Sequence, residues 1–202
     1  MRPAPASKYD DIILDFNEIA KAFDVTPYTF KLNRYKTDAT VMIQDDPENS
    51  YSILGMIACI EKDIDSMHRY HKIALKCSSE SARSLFQYSS SLYNHDLFED
   101  SYKYAYKAFE KNKGDRLTLQ LLLKTSYYLM KDEDYQLFKV ELEKRKFKFN
   151  DPAKFNEDNA KILTKMVESA EDLIQKHPEM IAEPDPELEA LVSELIEGVD
   201  IS

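Results

Sequence analysis

A pattern of small and aromatic residues recurs in this chain at a fixed step of 34 residues. The step joins Ala74 to Ala108 and Tyr70 to Tyr104, and a further step from Tyr104 reaches Phe138. A period of this length is typical of stacked helical hairpins, in which each unit buries its apolar face only against its neighbours. The period therefore constrains the fold more than any other feature of the sequence.

The composition favours an all-helical chain. There are only 3 glycines in 202 residues, so few residues are suited to the positive φ angles that turns between β-strands require. Runs of β-branched residues are also scarce. With 43% hydrophobic residues, the chain can bury a continuous core. We predict one elongated all-α array, with Gly114 capping the end of one of its helices.

Three consecutive windows, 48–81, 82–115 and 116–149, place residues of similar character at matching positions. The pair Leu54-Gly55 is the most specific match, because glycine lets two helices pack closely. In the third window Leu123 and Tyr135 replace small residues, which predicts wider helix spacing or a register shift of one. The matching positions hold Tyr51, Leu54, Gly55, Ala58, Met67, Tyr70, Ala74 and Leu75; then Leu85, Tyr88, Ser89, Leu92, Ser101, Tyr104, Ala108 and Phe109; then Leu119, Leu122, Leu123, Ser126, Tyr135, Phe138 and Leu142.

These windows resemble the tetratricopeptide repeat (TPR) family, over about half of the chain. The resemblance implies a right-handed α-α superhelix, a TPR-like solenoid with three repeats in 47–149. Apolar residues at helical spacing, Ile12, Phe16, Ile19 and Phe23, then Tyr28, Leu32, Tyr35, Ala39 and Met42, predict an N-terminal helical hairpin at 10–46, with Thr26-Pro27 starting its second helix. The other predicted segments are a flexible arm at 1–9, a capping helix at 150–177, and an acidic linker with an amphipathic tail helix at 178–202.

The charge of the chain is uneven. The net charge is −10, and 8 acidic residues without any Lys or Arg lie between Pro178 and Ser202. An acidic chain repels nucleic-acid phosphates at long range, which argues against nucleic acid as a partner. A cluster of basic residues at the end of the third window either complements the negative end of its helix or docks the acidic tail or an acidic partner. It consists of Lys139, Lys144, Arg145, Lys146 and Lys148.

The sequence predicts a cytoplasmic protein. Charged residues at Asp10 and Asp11 precede any apolar run of signal-peptide length, and no stretch approaches the roughly 18 apolar residues of a membrane helix. Cys59 and Cys77 form no CxxC motif and are expected to be reduced core thiols. We expect no membrane insertion.

No sequence motif requires catalysis, so we expect a protein that is not an enzyme and has no cofactor or small-molecule substrate. There is no phosphate-binding loop, dinucleotide fingerprint, HExxH motif or nucleophile elbow. His68 and His71 could join Asp65 or Cys77 at a metal ion, but no second cluster supplies further ligands. We therefore predict no metal site and interpret these histidines as core or surface residues.

The TPR resemblance implies a concave groove, lined by the first helix of each repeat, that binds a protein or peptide. The implied function is a non-enzymatic interaction module, an adaptor or a chaperone. The chain is also similar in size, charge and repeat number to the type III secretion class II chaperones, which hold translocator proteins. The groove positions carried over are Asn49, Ser52, Met56 and Cys59 in the first repeat; Arg83, Phe86, Ser90 and Tyr93 in the second; and Leu117, Gln120, Lys124 and Tyr127 in the third.

The sequence also indicates what kind of peptide to expect. Chaperone-docking TPR proteins hold a C-terminal carboxylate with a clamp of lysine, asparagine and arginine, which is absent here. An extended or helical segment with apolar anchors is therefore the expected ligand. The clamp positions are occupied by Ser52, Met56, Gln87, Leu117 and Leu121.

Two other functions remain open from the sequence. Residues 18–36 superficially resemble a DNA-reading helix-turn-helix, although Asp24 replaces the usual glycine and the second helix is too long for a short recognition helix. A scaffold subunit of a larger complex is the other alternative. The tail helix could dock on the array, form a homodimer or bind elsewhere.

Overall fold

The computed structural model describes residues 12, 16, 19 and 26–176, with side chains up to residue 170 except at 168. All regular structure in these residues is helical, which confirms the all-α prediction for this part of the chain. A short 3₁₀ turn, Thr26–Tyr28, precedes eight α-helices. They are α1 (Thr29–Met42), α2 (Pro47–Ile60), α3 (Ile64–Cys77), α4 (Ala82–Tyr93), α5 (Phe98–Lys111), α6 (Arg116–Tyr128), α7 (Asp132–Lys144) and α8 (Pro152–Lys176).

Helices α1 to α7 lie in one compact unit, Met1–Pro152, and each packs against the next along the chain. The predicted repeats correspond to the pairs α2–α3, α4–α5 and α6–α7. The first helices of these pairs also contact one another, α2 against α4 and α4 against α6. Equivalent positions of successive repeats therefore lie on neighbouring helices.

The turn inside each helix pair has the same backbone form in all three repeats. Lys62, Asp96 and Met130, spaced by 34 residues, have positive φ angles of 60°, 58° and 52°. Hydrogen bonds of the Schellman type close these turns. They run from Asp63 N to Ala58 O at 2.9 Å, from Leu97 N to Leu92 O at 3.1 Å, and from Lys131 N to Ser126 O at 2.9 Å. The period is thus present in the backbone, although no glycine among the described residues has a positive φ.

Short polar side chains begin the first helix of each pair. Asp46, Ser81 and Asp115 accept hydrogen bonds from the amides of Asn49, Ser84 and Thr118 at 3.3, 3.1 and 2.8 Å. Each cap satisfies an amide that the first helical turn would otherwise leave unpaired. The expected glycine cap is wrong, because Asn112 rather than Gly114 follows the last residue of α5. The φ angle of Gly114 is not positive.

Small residues bring the helices of the first two pairs together. A Cβ atom on Gly55 would lie 2.7 Å from the ring of His71, so α2 and α3 leave no space for a side chain at this position. In the second pair the buried Ser89 and Ser101 bond reciprocally, each hydroxyl donating to the other's carbonyl oxygen at 2.6 and 2.8 Å. Glycine and serine therefore set the close contact within these pairs.

The core at the N-terminal end joins α1 and α2 to three residues that precede them. Ile12, Phe16 and Ile19 are helical, at most 2% exposed, and cluster with Leu32 and Ala39 of α1. The apolar face read from the sequence is therefore buried, while Phe23 lies outside the described residues. The expected helix start at Thr26-Pro27 is instead the 3₁₀ turn, and α1 begins three residues later, at Thr29.

Helix α8 lies almost wholly in a second unit, Ala153–Ser202. Its apolar side chains include Phe155, Ile162 and Met166, which are 63%, 55% and 63% exposed. The capping role of 150–177 stays a prediction. The tail helix at 186–197, like most of 178–202, lies outside the described residues.

Candidate protein-binding surface

The predicted groove positions recur with the same spacing on α2, α4 and α6, which the fold places side by side. On α4, Arg83 is exposed, and Phe86, Ser90 and Tyr93 are partly exposed. On α6, Leu117 is 47% exposed, and Gln120, Lys124 and Tyr127 are partly exposed. We call these eight residues of α4 and α6 the first-helix surface.

The first repeat contributes less to this surface than the sequence implied. Ser52 and Cys59 are 0% and 8% exposed, so their side chains face the protein interior. The Cys59 thiol lies 3.7 Å from the carbonyl oxygen of Ser91, and burial raises the pKa of the thiol. Asn49 and Met56 are partly exposed, with the Asn49 amide held by Asp46 at 2.6 Å. Cys59 therefore lies at the contact between the first and second repeats.

A cation–π contact joins the two halves of the first-helix surface. The Lys124 ammonium of α6 lies 5.6 Å from the centre of the Tyr93 ring of α4. Such a contact contributes about 0.5–1 kcal/mol at an exposed site. Burial is the main cause that raises the pKa of Tyr93. The Tyr93 hydroxyl therefore stays protonated, and the ring beside Lys124 is uncharged. The structure thus brings together two residues that are 31 positions apart in the sequence.

Two aromatic residues that the sequence reasoning missed extend this edge of the surface. Phe98 and Tyr128 stack with ring centres 4.7 Å apart, and both lie near Tyr93, at 5.6 and 6.1 Å. The signal was available, because Phe98 and Tyr128 flank the repeated turns at Asp96 and Met130. The Tyr93 ring therefore contacts both of these rings as well as the Lys124 ammonium.

The irregular segment between α7 and α8 was also missed. The backbone turns at Lys146, whose φ is 56°, and the Gln120 side chain then donates to the carbonyl oxygen of Lys148 at 2.7 Å. Residues 147–150, which we call the strap, therefore lie beside the first-helix surface of α6. The alternation of phenylalanine and lysine in Phe147-Lys148-Phe149 was the available signal.

The basic cluster at the end of the third repeat is partly neutralised by nearby carboxylates. Lys139 pairs with Asp151 at 2.7 Å, and Arg145 pairs with Glu141 at 2.5 Å. The hydrogen bond to Asp151 raises the pKa of Lys139. Docking of an acidic tail or partner on this cluster stays a prediction.

The histidines form contacts inside the fold. His71 is fully buried, bonds to the Ser91 hydroxyl at 2.9 Å and stacks on Tyr88, and its burial lowers its pKa to about 3. His68 Nδ1 lies 2.7 Å from the Tyr88 hydroxyl, and His95 Nε2 lies 3.1 Å from the Cys59 carbonyl oxygen. Cys77, which was expected to be a core thiol, is exposed, so that expectation was wrong for Cys77. Within the described residues, no group of three His, Cys, Asp or Glu side chains is placed to hold a metal ion.

Comparison with known proteins adds no family assignment. No protein-family model matches the chain, and neither a curated protein nor a solved structure matches it. Among the described helices, none combines the length and the apolar character needed to cross a membrane. In the helix-turn-helix alternative at 18–36, residues 18 and 20–25 lie outside the described residues, and the second helix is α1, which has 14 residues. DNA binding by this segment stays an untested alternative.

Proposed function

We propose that this chain is a TPR-like protein-interaction module, an adaptor or chaperone that holds a peptide segment of a partner on the first-helix surface. In this proposal α2 to α7 form a right-handed superhelix, with α2, α4 and α6 lining its concave side. The protein acts by binding and not by catalysis, and its proposed setting is the cytoplasm.

The observation that carries the proposal is the adjacency of equivalent positions on successive first helices. Helix α4 contacts both α2 and α6, and Lys124 reaches Tyr93 across the boundary between repeats. A row of partly exposed aromatic and polar side chains on packed helices is suited to an extended or helical peptide, because the helices fix the positions of the anchoring side chains before binding.

The surface also has the residue types that contribute most to protein interfaces. Aromatic residues and arginine are enriched among residues whose truncation weakens binding strongly. The second repeat offers Arg83, Phe86 and Tyr93 within one helix. Phe86 is partly buried against the core cluster that includes Leu85 and Tyr88, so its ring is held in place before any partner arrives.

A selection from a displayed library of random 12-residue peptides tests this function on the full-length protein. We expect enrichment of a peptide family, and we expect the combined variant Arg83→Ala, Phe86→Ala and Tyr93→Ala to weaken binding of the selected peptides by tenfold or more. Fluorescence anisotropy measures the affinity, and circular dichroism checks that the variant remains folded.

A matched variant on the second helices controls for a general loss of side chains. It combines Lys72→Ala, Tyr106→Ala and Leu137→Ala, whose native side chains are exposed on α3, α5 and α7. We expect unchanged peptide affinity. If the first-helix variant binds as tightly as the wild type, the first-helix surface is not the binding site.

A further inference from the structure

The third repeat has a cleft, which is formed between α6 and the strap. After α7 the chain reverses at Lys146, where the Phe147 amide donates to the Leu142 carbonyl oxygen at 3.0 Å. The strap then runs beside α6 and is held there by the Gln120–Lys148 hydrogen bond. One wall of the cleft is therefore α6 and the other is the strap.

The far end of the strap is anchored on α7. The Asp151 carboxylate accepts a hydrogen bond from the Tyr135 hydroxyl at 2.5 Å and pairs with the Lys139 ammonium at 2.7 Å. With Gln120 fixing its middle, the strap has two attachments to the third repeat. The cleft is consequently formed before a ligand arrives, which lowers the entropy that binding must lose.

The cleft has a volume of about 600 Å³ and is lined by two lysines, two phenylalanines and two amides. No acidic side chain lines it, and neither lysine forms an ion pair with any residue that the structure describes. These six residues are Gln120, Lys124, Phe147, Lys148, Phe149 and Asn150.

The positive charge of the residues that line the cleft indicates which ligands it can bind. Lys124 and Lys148 approach the cleft from opposite walls, and Lys124 is oriented by the Tyr93 ring. Two unpaired ammonium groups favour a carboxylate, while the partly buried rings of Phe147 and Phe149 favour an adjacent apolar side chain. Nucleic acid is disfavoured, because the chain carries a net charge of −10.

We propose that this cleft receives an aspartate or glutamate side chain of the partner peptide, followed or preceded by a large apolar residue that packs on the strap. The inference rests on the proposed peptide-binding function and assigns its acidic subsite. It involves an internal side chain and not a terminal carboxylate, since the positions of a terminal clamp in this repeat hold Leu117 and Leu121.

The same peptide library can test the acidic subsite separately from the proposed function. Each peptide is fused to the display protein through its C-terminus, so that the peptide has no terminal carboxylate and offers only side-chain carboxylates. We expect wild-type selections to be enriched in acidic residues next to large apolar ones, and selections on Lys124→Gln/Lys148→Gln to lose the acidic enrichment. Peptides without acidic residues would overturn the acidic subsite alone, whereas no enrichment of any peptide would overturn both proposals.

Affinity measurements on one selected acidic peptide locate the subsite. Each of Lys124→Gln and Lys148→Gln should weaken binding about fivefold, and the weakening should shrink as salt is raised. The matched control Lys113→Gln removes an exposed lysine outside the cleft and should leave the affinity unchanged. Equal losses in all three variants would indicate a general charge effect and overturn the assignment to the cleft.

Discussion

The first and third repeats differ in the size of the side chains between their two helices. In the first repeat, Gly55 lies directly against the His71 ring. At the position equivalent to Gly55 the third repeat has Leu123, which is fully buried, and at the position equivalent to Met67 it has Tyr135, which is 7% exposed. The two helices of the first repeat therefore pack in close contact at Gly55. In the third repeat, larger side chains fill the space between α6 and α7.

This difference links the third repeat to the proposed acidic subsite. A small residue at position 135 would not reach beyond the helix pair, since the Ser101 hydroxyl at the equivalent position of the second repeat bonds to Ser89 on the facing helix. Tyr135 extends to Asp151 and anchors the strap. The departure from the repeat pattern is therefore the feature that allows a cleft in this repeat.

The largest expected effect comes from Leu123→Ala. Leu123 is fully buried, so the substitution should lower the free energy of unfolding by about 3 kcal/mol through lost burial and a residual cavity. Urea denaturation measures the change. The control Leu137→Ala, at a position 59% exposed on α7, should cost less than about 0.5 kcal/mol. Similar losses at both positions would contradict a filled third repeat.

The buried histidine of the first repeat predicts a pH dependence of stability. Burial lowers the pKa of His71 from 6.5 to about 3, so the unfolded state binds a proton in this range while the folded state does not. Stability should therefore fall as the pH falls below 6.5, by about 2 kcal/mol between pH 6.5 and 5. The free energy of unfolding at several pH values measures this slope. In His71→Gln the slope should be much smaller, and an unchanged slope would assign it to other groups.

These residues show which parts of the structure the sequence could predict. The 34-residue period located the helix pairs, and the small size of Gly55 and Ser89 predicted close packing, because helical spacing and side-chain volume are local properties. The partner of Gly55, the His71 ring, depends on how two helices are rotated and was not predictable. The strap was missed because no repeat pattern covers 147–150 and its position depends on a few side-chain bonds, from Gln120 to Lys148 and from Tyr135 to Asp151.

Tyr135→Phe separates the anchoring role of Tyr135 from its packing role. The ring volume is retained while the hydroxyl bond to Asp151 is lost, so the free energy of unfolding should fall by about 1.5 kcal/mol. Hydrogen exchange at the amides of 147–151 should become faster. Tyr106→Phe is the matched control, since it removes the hydroxyl of a tyrosine that lies on α5 and is 40% exposed. Unchanged exchange in Tyr135→Phe would show that the strap does not depend on this bond.

Gly55→Ala tests the close contact in the first repeat. The added methyl group would lie within 2.9 Å of three ring atoms of His71, and the strain should exceed the gain in helix propensity. We expect a net loss of about 1 kcal/mol in thermal or urea unfolding. At Gly114 a Cβ atom would approach other atoms only to 3.5 Å, so Gly114→Ala should be neutral or slightly stabilising. Stabilisation at both sites would contradict the close packing of α2 and α3.

The smallest expected effect concerns the turn that all three repeats share. Met130 has a φ of 52° and is 86% exposed, so Met130→Gly should relieve backbone strain while removing little buried surface. We expect a gain of about 0.5 kcal/mol, because the greater flexibility of glycine in the unfolded chain offsets part of the relief. Lys62→Gly and Asp96→Gly, at equivalent positions with the same sign of φ, should give similar gains in thermal unfolding. Since the turns are equivalent, a gain at Met130 alone would mean that the third repeat differs from the others in its backbone as well as in its side chains.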